Sequence, residues 1–387
     1  MFSIKTMNKI AAVGTKRFGD NYTVSDTEQN PDGILVRSAS LLDGNFNDGL
    51  LAIARAGAGV NNIPIDLCTS KGIAVFNTPG ANANAVKELT IAGMLLASRR
   101  IVESINWAQT LKGKGDEIPK LVEKGKSDFA GPELEGKKLG VIGLGAIGSL
   151  IVNAAHGLNM EVYGYDNFLS VESALRMTRN VKRVENVKTI YEECDYITYH
   201  VPLNDSTHRY INKEVFAQMK DGVRLFNFSR GEIVNEDDLE EALNSGKVAK
   251  YVTDFPNERI LSMKNVIAIP HLAASTMESE DNCAIMAVDE LKDYLENGNV
   301  KNSVNFPNVI SERAAGDRIC VLHKNIPNML SRISSVLGDM SINIEFMHSK
   351  SRGEIGYALL DLAGSVPDSV AENLKNIDGV LLVRIIK

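Results

Sequence analysis

The chain has 387 residues, 44% hydrophobic and 24% charged, with a formal net charge of -7 and four cysteines. That length carries two or three domains with real cores, which excludes a small stapled scaffold. The acidic balance and the lack of any basic block exclude a nucleic-acid footprint, and no apolar run reaches the roughly 18 residues of a membrane span.

Residues 1–8 hold no signal core, and Cys68, Cys194, Cys283 and Cys320 are scattered without metal-ligand spacing. The expectation is a soluble cytoplasmic protein with free thiols and no metal, bound to neither membrane nor nucleic acid. Residues 9–13 and 33–36 read as short buried strands, with about twenty residues between them, tight for a helix and another strand. Arg37 and Ser38 follow the second strand directly. A third apolar run, 50–54, leads into Arg55-Ala56-Gly57-Ala58-Gly59-Val60-Asn61-Asn62, a small-residue turn that lets backbone amides face a ligand. Ligands of open parallel sheets lie beyond the carboxyl ends of strands, where Arg37, Ser38 and Arg55 stand. Residues 73–76 form another strand, followed by a loop, Asn77 to Asn82. The pattern over 83–105 is one long helix, and 111–131 is a charged, glycine-punctuated surface excursion.

Residues 138–142 then run straight into Gly143-Leu144-Gly145-Ala146-Ile147-Gly148, and Leu150, Ile151, Ala154, Ala155 and Leu158 recur at helical spacing behind it. Strand, G-x-G-x-x-G and helix together form a dinucleotide-binding context. Gly143 permits the tight turn, Gly145 lets backbone approach a pyrophosphate, and Gly148 lets helix pack on strand. Asp166 ends the next strand at the distance where a carboxylate meets a ribose 2′-hydroxyl. It would repel a 2′-phosphate, so NAD is expected over NADP.

A helix-forming stretch to about residue 193 follows, then strands over 196–203, 223–227, 248–253 and 266–269, with a helix over 237–244. This β-α alternation predicts a doubly wound parallel sheet. A long helix over 277–296 and a linker to about 307 come next. From 317 the rhythm becomes βαββαβ, a ferredoxin-like module. Three ionisable residues fall at or just beyond strand ends: Arg230, Glu258 and His271. Hydride transfer from a 2-hydroxy acid needs a base for the hydroxyl proton, a cation for the carboxylate and a group that orients the base. His271, Arg230 and Glu258 supply those roles in that order.

These motifs, with Val36-Arg37-Ser38, Asn77-Thr78-Pro79, His200-Val201-Pro202-Leu203, Asn227-Phe228-Ser229-Arg230-Gly231 and Pro270-His271, resemble the D-isomer-specific 2-hydroxyacid dehydrogenases over roughly the whole chain. The resemblance implies NAD-dependent oxidation of D-3-phosphoglycerate to 3-phosphohydroxypyruvate, the first step of serine synthesis. It implies catalysis by Arg230, Glu258 and His271. Substrate contacts would come from Arg37, Ser38, Arg55, Gly57 and Asn82. Cofactor contacts would come from Gly143, Gly145, Ala146, Ile147, Gly148, Asp166, Val201, Pro202, Thr207, Phe228, Ser229, Arg230, Asp254, His271 and Ala274. It further implies a Rossmann-type NAD-binding domain, 94–279, inserted in a flavodoxin-like substrate domain, 1–93 with 280–305. Residues 317–387 resemble an ACT domain, with L-serine as effector held by His323, Asn325 and Asn343, in a homodimer or homotetramer. Two departures stand out. The family's D-V-F-x-x-E-P is here Thr253-Asp254-Phe255-Pro256-Asn257-Glu258-Arg259, and Ala146 stands where an arginine is frequent. Glyoxylate or hydroxypyruvate reduction by the same site, and a non-catalytic NADH-sensing corepressor, are the alternatives; Arg37 favours the phosphorylated substrate.

Overall fold

The first five strands are β1 (Phe2–Met7), β2 (Tyr22–Ser25), β3 (Gly33–Val36), β4 (Ala52–Arg55) and β5 (Ala74–Phe76). They pair in parallel in the order β2-β1-β3-β4-β5. β3 is buried throughout and β4 nearly so, as expected of parallel strands covered on both faces. The helix Met277–Asn297 supplies one cover, sharing a core with Ile4, Leu35, Ala54 and Phe76 through Ala287, Leu291 and Tyr294. The strand expected over 9–13 lies earlier, and Ala12–Thr15 form one helical turn instead. Gly14 explains it: a Cβ there would stand 2.6 Å from the Ala284 backbone, so this turn packs closely on the long helix. The short interval before residue 33 thus holds a single helical turn and the edge strand β2.

The structure, a computed structural model, describes residues 1–387 and divides into two units, Met1–Asn82 with Met277–Lys387, and Ala83–Thr276. The second unit carries β6 (Lys138–Ile142), β7 (Glu161–Tyr165), β8 (Lys182–Arg183), β9 (Tyr196–Tyr199), β10 (Val223–Asn227), β11 (Val248–Thr253) and β12 (Val266–Ala268). Their order is β12-β11-β10-β9-β6-β7-β8, all parallel, so the winding reverses between β6 and β9. Beyond the carboxyl ends of those two strands lies the crevice where such sheets bind ligands. The long helix expected over 83–105 is two, Ala83–Ser98 and Ile101–Gln109, because Arg100 adopts a left-handed φ of 43°. The stretch after Asp166 is also broken, into Val171–Arg176, β8 and Lys188–Glu193. The short helices Lys213–Gln218 and Glu258–Ser262 escape the periodicity but begin at asparagine caps, Asn212 and Asn257.

The C-terminal module holds β13 (Arg318–Lys324), β14 (Ile344–Arg352), β15 (Ile355–Leu362) and β16 (Val380–Ile386), antiparallel in the order β14-β15-β13-β16, with helices Met329–Asp339 and Ser369–Lys375. Ile319, Val321, Ile333, Leu337, Leu360 and Val370 form its own core. The other sheet face is continuous with the core of the first unit, where Cys320, Leu322, Tyr357 and Leu359 join Tyr294, Leu295 and Phe306. Arg318, fully buried, pairs with Asp361 at 2.5 and 2.8 Å and donates to the carbonyls of Asn297, Ser311 and Glu312. Removing one partner of such a pair costs about 3–5 kcal/mol. Arg384 donates to the carbonyls of Tyr294 and Leu295 at the end of the long helix, where cations are favoured. The expected linker is therefore packed, not loose: buried Asn305 accepts from the Val75 N–H and donates to the Ile73 carbonyl, flanking β5.

All four cysteines are free and buried, and no cluster of three or more His, Cys, Asp or Glu is arranged to hold a metal. No helix is long and apolar enough to cross a membrane.

Candidate active site

Gly143 sits at the end of β6 with φ +92°, and a Cβ there would collide with the His200 carbonyl oxygen. Gly148 would collide likewise with the Gly143 carbonyl. Only glycine fits either place. Gly145 differs: it is exposed and a Cβ would meet nothing within 4 Å, so its backbone faces open space. The helix Ala146–Gly157 starts there without a side-chain cap or an acid in its first turn, leaving the amides of Ala146, Ile147 and Gly148 for an anion. Asp166, half-buried, accepts the Leu144 N–H on Oδ2 and the Phe168 N–H on Oδ1, each at 2.7 Å. An ionised carboxylate has about four lone-pair positions, so two stay available to hydroxyl donors.

The loop after β9 turns on Asn204: Thr207 Oγ1 donates to the Pro202 carbonyl at 2.6 Å, and Val201 packs near Gly143. His200, part of the His200-Val201-Pro202-Leu203 motif, directly follows β9. Its Nε2 meets Thr198 Oγ1 at 2.8 Å, its Nδ1 has no partner, and burial drives its pKa down to about 3. It is a neutral imidazole behind the glycine turn.

Arg230 is positioned by buried Asn227, whose Oδ1 accepts the Ser229 N–H and whose Nδ2 donates to the Arg230 carbonyl at 2.8 Å. Ser229 Oγ ties the same turn to the Tyr199 carbonyl at 2.6 Å, beside the buried Phe228. His271 is exposed in a left-handed conformation, φ 43°, with its N–H given to the Asp254 and Ile269 carbonyls at 3.0 Å. Such a backbone in a non-glycine residue is costly and clusters at functional sites. The Phe255 ring meets the imidazole edge-on at 5.0 Å. A cavity of about 730 Å³ opens here, bounded among others by Arg209, Asp254, Phe255, Asn257, Pro270 and His271.

Glu258 departs from expectation. It is exposed in the first turn of Glu258–Ser262 and forms no hydrogen bond with His271, so the anticipated carboxylate–imidazole pair is not made. The helix cap at Asn257 turns the chain there. Asp254 is the buried acid of the group. Burial raises its pKa, while the Ala273 N–H and the charges of His271 and Arg230 pull it back. Its Oδ1 is buried without a partner, an acceptor suited to a carboxamide NH2 such as nicotinamide carries. With the open amides at Gly145 and the spare Asp166 positions, the residues present fit a dinucleotide. Ala274 follows Ala273 at the rim, half-buried. Arg259, in place of the family's proline, bridges to Asp237 and Glu240 of the preceding helix, which gives it a structural use.

The expected substrate residues Arg37, Ser38, Arg55, Gly57 and Asn82 lie at the carboxyl ends of β3 and β4 and in the loop after β5, all in the first unit. Their loops are held by two asparagines, Asn8 and Asn62, whose partners sequence alone does not show. Asn8, left-handed at φ 79°, accepts the N–H groups of Ser38 and Ala39 at 3.1 and 2.7 Å. Asn62 donates to the Ala39 carbonyl at 2.7 Å. For Asn8, asparagine's tolerance of left-handed turns is the signal in the sequence. Arg55 donates to the carbonyls of Arg37 and Gly59, closing the glycine turn over Gly57, while Arg37 pairs with Glu280 at 2.7 Å. Arg37 reaches its position with an acid already beside it.

The three expected regulatory residues are not brought together in one chain. His323 is buried against Gly356, its Nδ1 at 2.8 Å from the Lys324 carbonyl and its Nε2 without partner. Asn325 is bonded to Gly353 and Ser351. Both lie at the Ser351–Gly356 level of the sheet, whereas Asn343 precedes β14 at the Leu362 end. Eight strand residues separate the levels, about 25 Å.

Residues 91–273 match the family described as D-isomer specific 2-hydroxyacid dehydrogenase, NAD binding domain. The chain is 32% identical over 349 residues to D-3-phosphoglycerate dehydrogenase of Haemophilus influenzae, covering 87% of this chain and 81% of that one. It is 35% identical over 320 residues to the enzyme of the same name from Methanocaldococcus jannaschii, covering 81% of this chain and 57% of that longer one. Among solved structures, NAD+-bound 3-phosphoglycerate dehydrogenase of Entamoeba histolytica superposes with a TM-score of 0.62 at 26% identity, covering 79% of this chain and 98% of that one. The glycine turn, the acid after β7 and the strand-end arginine and histidine fall within or close to the matched residues, and the chain belongs to the D-isomer specific 2-hydroxyacid dehydrogenase family.

Proposed function

We propose that the chain oxidises D-3-phosphoglycerate to 3-phosphohydroxypyruvate with NAD, the entry reaction of serine synthesis. The observation that carries this is the likeness to enzymes of that name over more than four-fifths of the chain in both a bacterium and an archaeon. In this reading the glycine turn and Asp166 hold the dinucleotide, and bound NAD supplies the hydride acceptor. His271 takes the hydroxyl proton as C2 gives up hydride, and Arg230 holds the carboxylate beside C2. Arg37 takes the phosphate, with Ser38, Gly57 and Asn82 around the acid. Glu258 is assigned the orientation of His271 on the resemblance alone, since the two make no hydrogen bond in this structure. The C-terminal module is read as a regulatory domain for L-serine. Since Asn343 lies far from His323 and Asn325 in one chain, a second copy would supply it, which favours a homo-oligomer.

Initial rates with phosphoglycerate, lactate, glyoxylate and hydroxypyruvate, each with the matching form of the dinucleotide, test the reading. Turnover of phosphoglycerate at ordinary enzyme rates supports it. Preference for glyoxylate or hydroxypyruvate reduction assigns the alternative substrate, and no turnover of any acid assigns the sensor.

A further inference from the structure

A second cavity, of about 510 Å³, lies wholly within the first unit, where the loop after β5 and the segment 302–308 face the β14–β15 hairpin. Asn77, Asn302, Asn308, Lys350, Ser351 and Arg352 line it, and no carboxylate does. Arg352 donates Nη1 to the Ser303 carbonyl at 2.9 Å but has no acidic partner, and the Lys350 ammonium has neither ion pair nor hydrogen bond. Elsewhere on this surface, cations are commonly matched with acids, as Arg17 is with Asp289 and Lys213 with Glu241. Two uncompensated cations facing three amide side chains make a concave, positively charged and donor-rich site.

The geometry points to this cavity as a binding site for a phosphate or phosphomonoester dianion, separate from the site of turnover and from His323. The forked guanidinium of Arg352 and the point charge of Lys350 match tetrahedral oxyanions, and the Asn308 amide, with the second N–H of the Asn77 and Asn302 amides, adds neutral donors. Behind this wall lies Glu290, whose Oε1 accepts from Asn302 Nδ2 at 2.6 Å. Burial lifts Glu290 to about 8, so at neutral pH it is mostly an uncharged carboxyl that does not repel an anion. The site also touches a residue that matters elsewhere: Asn77 donates Nδ2 to the Ala58 carbonyl at 2.5 Å, inside the glycine turn after β4. An anion held here is therefore one side chain away from the loop of Arg55 and Gly57.

Calorimetric titration of the whole chain tests this, with inorganic phosphate and glycerol 1-phosphate in parallel against chloride at equal ionic strength. Three proteins are compared: wild type, Arg37→Ala, and Lys350→Gln with Arg352→Gln. Arg37→Ala removes the competing phosphate contact of the proposed active site and should keep the new binding event. The double variant, altered only at exposed side chains, should weaken that event at least about tenfold, the loss expected for two charge-assisted contacts. The tighter of the two ligands tells free ion from phosphomonoester. Binding lost in Arg37→Ala but kept in the double variant overturns the proposal, as does no binding by wild type at millimolar concentrations. Because binding is read directly, a failure here leaves the reading of the dehydrogenase reaction untouched.

Discussion

Replacing Asp166 with alanine should narrow the preference for NAD over NADP, and the structure sets how far. A 2′-phosphate would stand against the Asp166 carboxylate; a unit-charge pair about 4 Å apart is worth roughly 1 kcal/mol in water and roughly 4 kcal/mol at an effective dielectric near 20. Asp166 is half-buried, so about 2 kcal/mol is the appropriate middle value, close to 30-fold in the ratio of kcat/KM. A second loss accompanies it. The Leu144 and Phe168 amides each lose a charged acceptor, so the KM for NAD itself should rise in the variant. Asp166→Asn retains one carbonyl acceptor and should fall between the two. The assay is initial-rate kinetics with each dinucleotide at saturating acid. Equal use of NAD and NADP by wild type, or an unchanged ratio in Asp166→Ala, would refute the role given to this carboxylate.

His271→Ala should cost about 100- to 10,000-fold in kcat while NADH binding, read by fluorescence, stays near wild type; a variant with a tenth of the rate removes the imidazole from proton transfer. Arg37→Ala should raise KM for phosphoglycerate far more than for an unphosphorylated 2-hydroxy acid, and equal losses would reduce Arg37 to a support for its loop through Glu280. Glu290, raised to about 8 by burial, keeps its proton in the fold at pH values where the unfolded chain has released it. Stability should therefore decline as pH climbs from the ordinary carboxyl value toward 8 and level off above it. Glu290→Gln, which mimics the protonated acid, should flatten that decline in denaturant midpoints; parallel curves would disprove the linkage. L-serine at millimolar levels should slow wild-type turnover and lose its effect in His323→Ala, whereas an unmoved wild-type rate leaves the C-terminal module as an assembly element.

The sequence by itself determined the parallel sheets, the glycine turn between β6 and its helix, the acid after β7 and the βαββαβ order of the last seventy residues. Those features are written in local chemistry: apolar runs that must be covered on both faces, glycines at positions where a Cβ would strike backbone, and strand ends where polar residues begin. Short elements were harder to read. Ala12–Thr15 and Glu258–Ser262 are each too short to show a helical period, and Arg100 breaks a helix whose apolar pattern runs on past it. Only tertiary structure decided what the polar side chains do. Spacing places Glu258 three residues after Phe255 but cannot tell that the Asn257 cap turns it to solvent while Asp254 is buried with an orphaned oxygen. Nor can it tell that Asn8 and Asn62 hold the Arg37 loop, or that Asn343 lies at the far end of the sheet from His323. Burial pattern is a property of neighbours along the chain, whereas a hydrogen-bond partner hundreds of residues away, such as Asn305 for Val75, exists only once the chain has folded.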